Sequence, residues 1–252
     1  MAQLLSMALL GFFLGMRHAT DPDHVVAVTT IVSRERRVGR AAGIGILWGL
    51  GHTVTILVVG GAILLFDVVI SPRIGLTMEF SVAVMLVLLG VLSLTPIVRS
   101  LRSPLSGGAA GQAHRHGPDP HWHAEDAPPA ACLDRWFGRL SLYQALRPLA
   151  IGVVHGLAGS AAVALLVLAT IRDTRWGVVY LGVFGIGTIA GMMLITAAIS
   201  LPFAYTSRRL SGFNRSLGVA SGMLSLGFGL CLIYQIGFVE GLFTGHPHWA
   251  PR

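Results

Sequence analysis

The chain contains no lysine, and all 18 of its basic side chains other than histidine are arginines, in a sequence of 252 residues. Charge of either sign is scarce. Asp, Glu, Lys and Arg together make up 12%, about half of what a soluble domain spends on covering its surface. Hydrophobic residues reach 54%, which argues against a water-soluble globular protein and puts most of the chain in lipid. Cysteine is nearly absent. Cys132 lies in a polar stretch and Cys231 in an apolar one, so neither a disulfide framework nor a thiolate metal site is indicated. No G-x4-GK[ST] and no H-E-x-x-H is present, which removes a nucleotide-hydrolysing motif and an intramembrane metalloprotease. The net charge is +7, yet the arginines fall in short segments between apolar runs, where they set topology rather than bind nucleic acid. The N-terminus lacks a basic n-region and runs into Arg17-His18 instead of a small-residue cleavage site, so it is expected to be a retained membrane segment.

Apolar runs long enough to cross about 30 Å of hydrocarbon lie at about 4–32, 42–66, 78–97, 147–171, 176–203 and 216–243. Arg34, Arg36, Arg37 and Arg40 follow the first run, Arg99 and Arg102 the third, and Arg208, Arg209 and Arg215 the fifth. The other side has Arg73, Arg172 and Arg175. The positive-inside rule then predicts an inner-membrane, multi-pass protein with the arginine-rich loops in the cytoplasm and both termini outside.

The two halves resemble each other. Gly15-Met-Arg-His18 answers to Gly152-Val-Val-His155, and Trp48-Gly-Leu-Gly51-His52 to Phe184-Gly-Ile-Gly187-Thr188, at nearly one offset. The expected fold is therefore an all-α integral membrane protein of six transmembrane helices, arranged as two three-helix repeats. Three is odd, so the copies would be inverted in the membrane, as in many transporters. Residues 1–97 would form the first repeat and 146–252 the second. Between them, 98–145 is polar, rich in Pro, Gly and Ala, and expected to be a flexible cytoplasmic loop. It carries His114, His116, His121 and His123, which bind metal weakly as chemistry dictates, whether as a buffer, a sensor or a drifting linker.

The most specific feature is His18-Ala-Thr-Asp21-Pro-Asp23-His24 inside the first run. As one helix, residues 4–32 would span about 43 Å, longer than a straight crossing needs. Pro22 lacks an N–H and clashes with the carbonyl four residues back, so it breaks the helix there. Asp21 suits the N-cap of a second half-helix with Pro22 in its first position, and the His18 carbonyl would be freed as a spare ligand. Each ionised group at this depth costs about 2.5–3.5 kcal/mol on insertion scales, and a bound divalent cation would offset that cost. Imidazole with carboxylate suits Ni²⁺, Co²⁺ or Zn²⁺ better than Ca²⁺ or Mg²⁺. His52 in the second run and His155 in the fourth, at the repeat position of His18, extend the candidate metal set to His18, Asp21, Asp23, His24, His52 and His155. Arg17 is either a counter-charge to the acids or a snorkelling side chain, and Glu240 reads as interfacial.

His18-x4-Asp23-His24 resembles the H-x4-D-H signature of the nickel/cobalt transporter (NiCoT/NicO) family, and Leu50-Gly51-His52-Thr53 resembles that family's second histidine motif. His155-Gly-Leu-Ala-Gly-Ser-Ala-Ala is similar to the UreH-type branch, linked to supplying nickel to urease. The resemblance implies metal binding by His18, Asp23, His24 and His52. It also implies partnership with a metallochaperone or nickel-enzyme maturation proteins. The chain departs from the family where an acidic, threonine-containing motif is expected; only His155 and Ser160 stand there to complete coordination. The expected function is a secondary permease for Ni²⁺ or Co²⁺, uptake favoured over export. It would have no prosthetic group, the metal being bound as cargo, and would be no enzyme. Its energy would come from the membrane potential, a proton gradient or a partner ATPase. Two rivals are a transporter of another solute on the same scaffold and a membrane haem redox protein with histidine axial ligands.

Overall fold

The structure is a computed structural model that describes residues 2–33, 35–66, 70–102, 146–158, 173–209, 211–244 and 247–249. Regular structure among the described residues is entirely helical. Helix α1 is Ala2–His18 and α2 is Pro22–Val32. Helix α3, Val38–Thr55, continues through a π-helical stretch, Ile56–Gly60, into α4, Gly61–Phe66. Helix α5 is Pro72–Arg102, α6 is Leu146–Ala158, α7 is Thr174–Arg209, and α8, Ser211–Tyr234, ends in a second π-helical stretch, Gln235–Val239. Among the described residues, four continuous helical stretches are long and apolar enough to cross a membrane: Val38–Phe66, Pro72–Thr95, Arg175–Tyr205 and Arg215–Val239. The chain is an all-α membrane protein.

The first expected span is two helices rather than one. Pro22 occupies the first position of α2, and Asp21 before it is extended, with φ −60° and ψ 145°, the conformation favoured before a proline. The break leaves α1 against α7, while α2 turns to touch α5, α7 and α8. The fourth expected span is described only as far as Ala158; the rest of it, including Ser160, lies outside the described residues, as do the four histidines of the central loop. Helix α5 runs on to Arg102, past the expected end of the third span.

Several helix crossings are close enough to need glycine, and two of them flank the site. A methyl group on Gly15 would overlap the Phe184 carbonyl oxygen where α1 crosses α7, and one on Gly152 would overlap the Trp48 carbonyl oxygen where α6 crosses α3. The same two crossings bring Gly187 onto the Phe12 carbonyl and Gly51 onto that of Leu149. Small residues of this kind replace the hydrophobic drive that lipid removes between helices. Hydroxyls add cross-helix bonds, from Thr53 to the Gly185 carbonyl at 3.1 Å, from Thr55 to that of Val153 at 3.0 Å and from Ser225 to that of Leu86 at 2.8 Å. The core so formed gathers Val28, Val32, Trp48, Leu86 and Met192, while Leu10, Phe13, Val58, Leu88 and Ile186 face outward as a lipid belt.

Gly15→Ala and Gly152→Ala are each expected to abolish the monodisperse detergent-solubilised protein. Gly182→Ala, where a methyl group meets nothing, should leave the elution profile and melting temperature unchanged. Size-exclusion chromatography with a thermal melt checks both.

Candidate metal centre

The chain break at 19–21 positions the first candidate ligands. The N–H groups of Thr20 and Asp21 donate to the carbonyls of Arg17 and His18 at 2.8 and 3.1 Å, and Val25 N–H donates to the Asp21 carbonyl at 3.0 Å to open α2. This corrects one expectation. The His18 carbonyl is not a spare ligand, because the proline removes only its own donor and the turn brings the Asp21 N–H to the vacated oxygen. The Asp21 side chain makes no capping bond; its Oδ2 lies instead 2.8 Å from His18 Nδ1.

All six candidate residues come together. His18 Nε2 is 3.0 Å from His52 Nε2. Asp23 bridges two rings, with Oδ1 3.1 Å from His24 Nδ1 and Oδ2 3.1 Å from His155 Nε2. Asp23 Oδ1 also accepts the His24 backbone N–H at 2.9 Å. His24 Nδ1 and His155 Nε2 sit 3.3 Å apart. The arrangement divides into two triads that share one member: His18, His24 and His52, and Asp23, His24 and His155. In each, one ligand atom per residue lies within 4.8 Å of the others. His24, His52 and His155 are almost wholly buried. Arg17 is exposed, and the two carboxylates take histidine partners rather than this arginine.

The hydrogen bonds assign the tautomers. Nitrogens facing a carboxylate carry the proton: His18 Nδ1, His24 Nδ1 and His155 Nε2. His18 Nε2 is then an acceptor, so His52 Nε2 donates to it. That leaves three buried imidazole nitrogens as lone pairs, and His24 Nε2, His52 Nδ1 and His155 Nδ1 have no hydrogen-bond partner among the described residues. A buried acceptor without a donor is costly. On each of these rings the other nitrogen is held by a carboxylate or a neighbouring imidazole, the kind of support that fixes ring orientation in metal-binding histidines.

Trp48 was not anticipated as part of the site. Its indole lies parallel to His24, with centroids 6.1 Å apart at 10°, and meets His155 edge-on at 5.5 Å. It is fully buried and backs both rings, restricting the rotations that would scatter the ligands. Only its placement four residues before His52, one helical turn, signals this in the sequence. Beside the cluster is a cavity of about 390 Å³ lined by His18, Asp21, Asp23, His24 and His155, and on its other walls by Glu79, Val82, Phe228, Leu232 and Ile236. Glu79 is a second residue that the sequence reading missed.

Comparison with known proteins gives a consistent result. The family profile described as NicO, high-affinity nickel-transport protein, matches residues 4–245. A urease accessory protein, UreH, from Bacillus sp. (strain TB-90) is 34% identical over 240 residues, covering 95% of this chain and 96% of the relative. No solved structure matches.

Because His24 belongs to both triads, His24→Ala is expected to weaken Ni²⁺ binding more than either His52→Ala or His155→Ala. The single-triad losses should be on the order of 10–100-fold, and the His24 loss larger. Isothermal titration of the detergent-purified variants measures the order.

Proposed function

The chain belongs to the NicO family of high-affinity nickel-transport proteins, and we propose that the buried histidine–aspartate cluster is the site through which it passes Ni²⁺ or Co²⁺. One observation carries this reading: four imidazoles and two carboxylates converge between helices, with three imidazole nitrogens buried and unpartnered. Nitrogen-rich coordination favours the late first-row divalent metals over Ca²⁺ and Mg²⁺. In this mechanism Asp21 and Asp23 hold His18, His24 and His155 in the ligating tautomer and balance the cation's charge. His24, common to both triads, passes the metal from Asp23 and His155, which line the cavity, to His52, which does not.

The depth of the cluster fits transport. Helix α2 carries 11 residues from Pro22 to the arginine-rich turn that the positive-inside rule puts in the cytoplasm. At 1.5 Å per residue that is about 16 Å, near half of a hydrocarbon core of roughly 30 Å. The cavity is lined by residues near the start of α5 and the end of α8, the ends assigned to the outside by the same rule. A vestibule on that side supports uptake. The membrane is then the inner membrane, with both termini outside and the loop at 98–145 cytoplasmic. That the UreH relative is named a urease accessory protein supports delivery of nickel towards metalloenzyme maturation proteins or a metallochaperone.

We further propose that six spans form two inverted repeats, 1–97 and 146–252. The support is reciprocal contact. Gly15 meets Phe184 as Gly152 meets Trp48, and Gly51 meets Leu149 as Gly187 meets Phe12, each pair exchanging repeat-equivalent positions. Rocking of one repeat against the other about the cluster would give alternating access.

Cells expressing the protein should accumulate Ni²⁺ above vector controls, and cells expressing His24→Ala at equal abundance should not. Elemental analysis by mass spectrometry decides. Equal metal content in the two strains contradicts the site.

A further inference from the structure

The cavity carries a carboxylate that the cluster does not use. Glu79 lies two turns into α5, three residues before Val82, a spacing that turns both side chains onto one helix face and onto the cavity wall. It is half-buried, near the end of α5 assigned to the outside. An ionisable group inside a membrane span is expensive and marks a solute path more often than a packing role.

Glu79 is also tethered. The indole N–H of Trp249 donates to its Oε1 at 2.8 Å. Trp249 reaches it because the chain reverses after α8. Gly241 adopts φ 83°, the N–H groups of Leu242 and Phe243 return to the carbonyls of Ile236 and Gly237, and His248 N–H donates to the Glu240 carbonyl at 2.8 Å. The indole then lies directly on Gly75, where any side chain would displace it, and packs with the buried pair Leu76 and Ile236. Ile236 itself lines the cavity, so the Trp249 indole lies behind one of the cavity's walls.

We infer that Glu79 captures the hydrated divalent cation at the outer mouth of the cavity, and that the Trp249 indole is a latch that competes for this carboxylate. The inference rests on the reading of the cavity as an outward-facing metal vestibule. A carboxylate on low-dielectric walls concentrates counter-ions at the mouth of a cleft. It accepts hydrogen bonds from metal-bound waters without displacing them, so dehydration is left to the imidazoles. Glu79 therefore acts on capture and not on the step that follows. When Trp249 holds one oxygen, part of the acceptor capacity is occupied; release of the indole returns it.

Initial rates of Ni²⁺ uptake into cells test this, with variants compared at equal membrane abundance. Glu79→Gln keeps an acceptor for the indole and loses the charge. It should raise the Ni²⁺ concentration for half-maximal uptake on the order of threefold to tenfold, at an unchanged maximal rate. Trp249→Phe keeps the ring on Gly75 and loses the N–H. It should lower the half-saturating concentration about twofold, and the double variant should match Glu79→Gln alone. A half-saturating concentration unchanged in Glu79→Gln, or a fall in maximal rate alone, overturns the inference. Should Glu79→Gln fail to reach the membrane, Trp249→Phe decides by itself, and an unchanged value there overturns the latch and the capture role together. His24→Ala run alongside separates the two levels. Its transport at the wild-type rate would sink the metal site itself, whereas its inactivity beside a normal Glu79→Gln sinks only the role of Glu79.

Discussion

Four imidazole rings can meet between these helices only if the helices carrying them approach more closely than side chains ordinarily allow. Gly15 and Gly187 provide that approach between α1 and α7, and Gly51 and Gly152 provide it between α3 and α6. His18 and His52 each lie within three residues of one of these glycines, and His155 lies three residues beyond Gly152. The close contact and the ring cluster are therefore one feature. Separating the helices by a methyl group would part the rings by more than a metal–ligand distance tolerates.

A second constraint acts on the polar groups themselves. Lipid offers no hydrogen bonds, so each buried donor and acceptor must be satisfied within the protein. The two carboxylates accept from three rings, and the backbone of the broken helix is closed by the turn at 19–21. Among the described residues, the deficit that remains includes His24 Nε2, His52 Nδ1 and His155 Nδ1, together with the Trp48 indole N–H and the Thr196 hydroxyl. In the proposed transport role, a passing cation would meet the imidazole part of that deficit.

Much of this was legible in the sequence because it is locally encoded. Pro22 disfavours a continuous helix at this point, and the extended Asp21 fits the restriction on the residue before a proline. A lone imidazole in an apolar run is more often an interhelical hydrogen-bonder than a ligand, but His52 and His155 stand out as two of them at matched positions beside a His/Asp cluster. The central cluster could thus be assembled from spacing and depth. Other parts depend on tertiary placement. Trp48 reads as one more apolar residue of α3 until α6 lays His155 against it. Glu79 reads as an acid at the edge of a span until the chain after α8 returns to meet it. The His18 carbonyl was misjudged for a related reason: a missing donor at Pro22 is visible in the sequence, but the compensating Asp21 N–H depends on how the turn closes. The family resemblance on His18, Asp23, His24 and His52 pointed to nickel transport, and the match over residues 4–245 agrees with it.

The most direct test of the central claim is X-ray absorption spectroscopy of the purified protein loaded with one equivalent of Ni²⁺. The account predicts a first shell containing at least three imidazole nitrogens, seen as outer-shell ring scattering, that collapses in His24→Ala. A shell made of oxygen alone, or one indifferent to loss of His24, would contradict it.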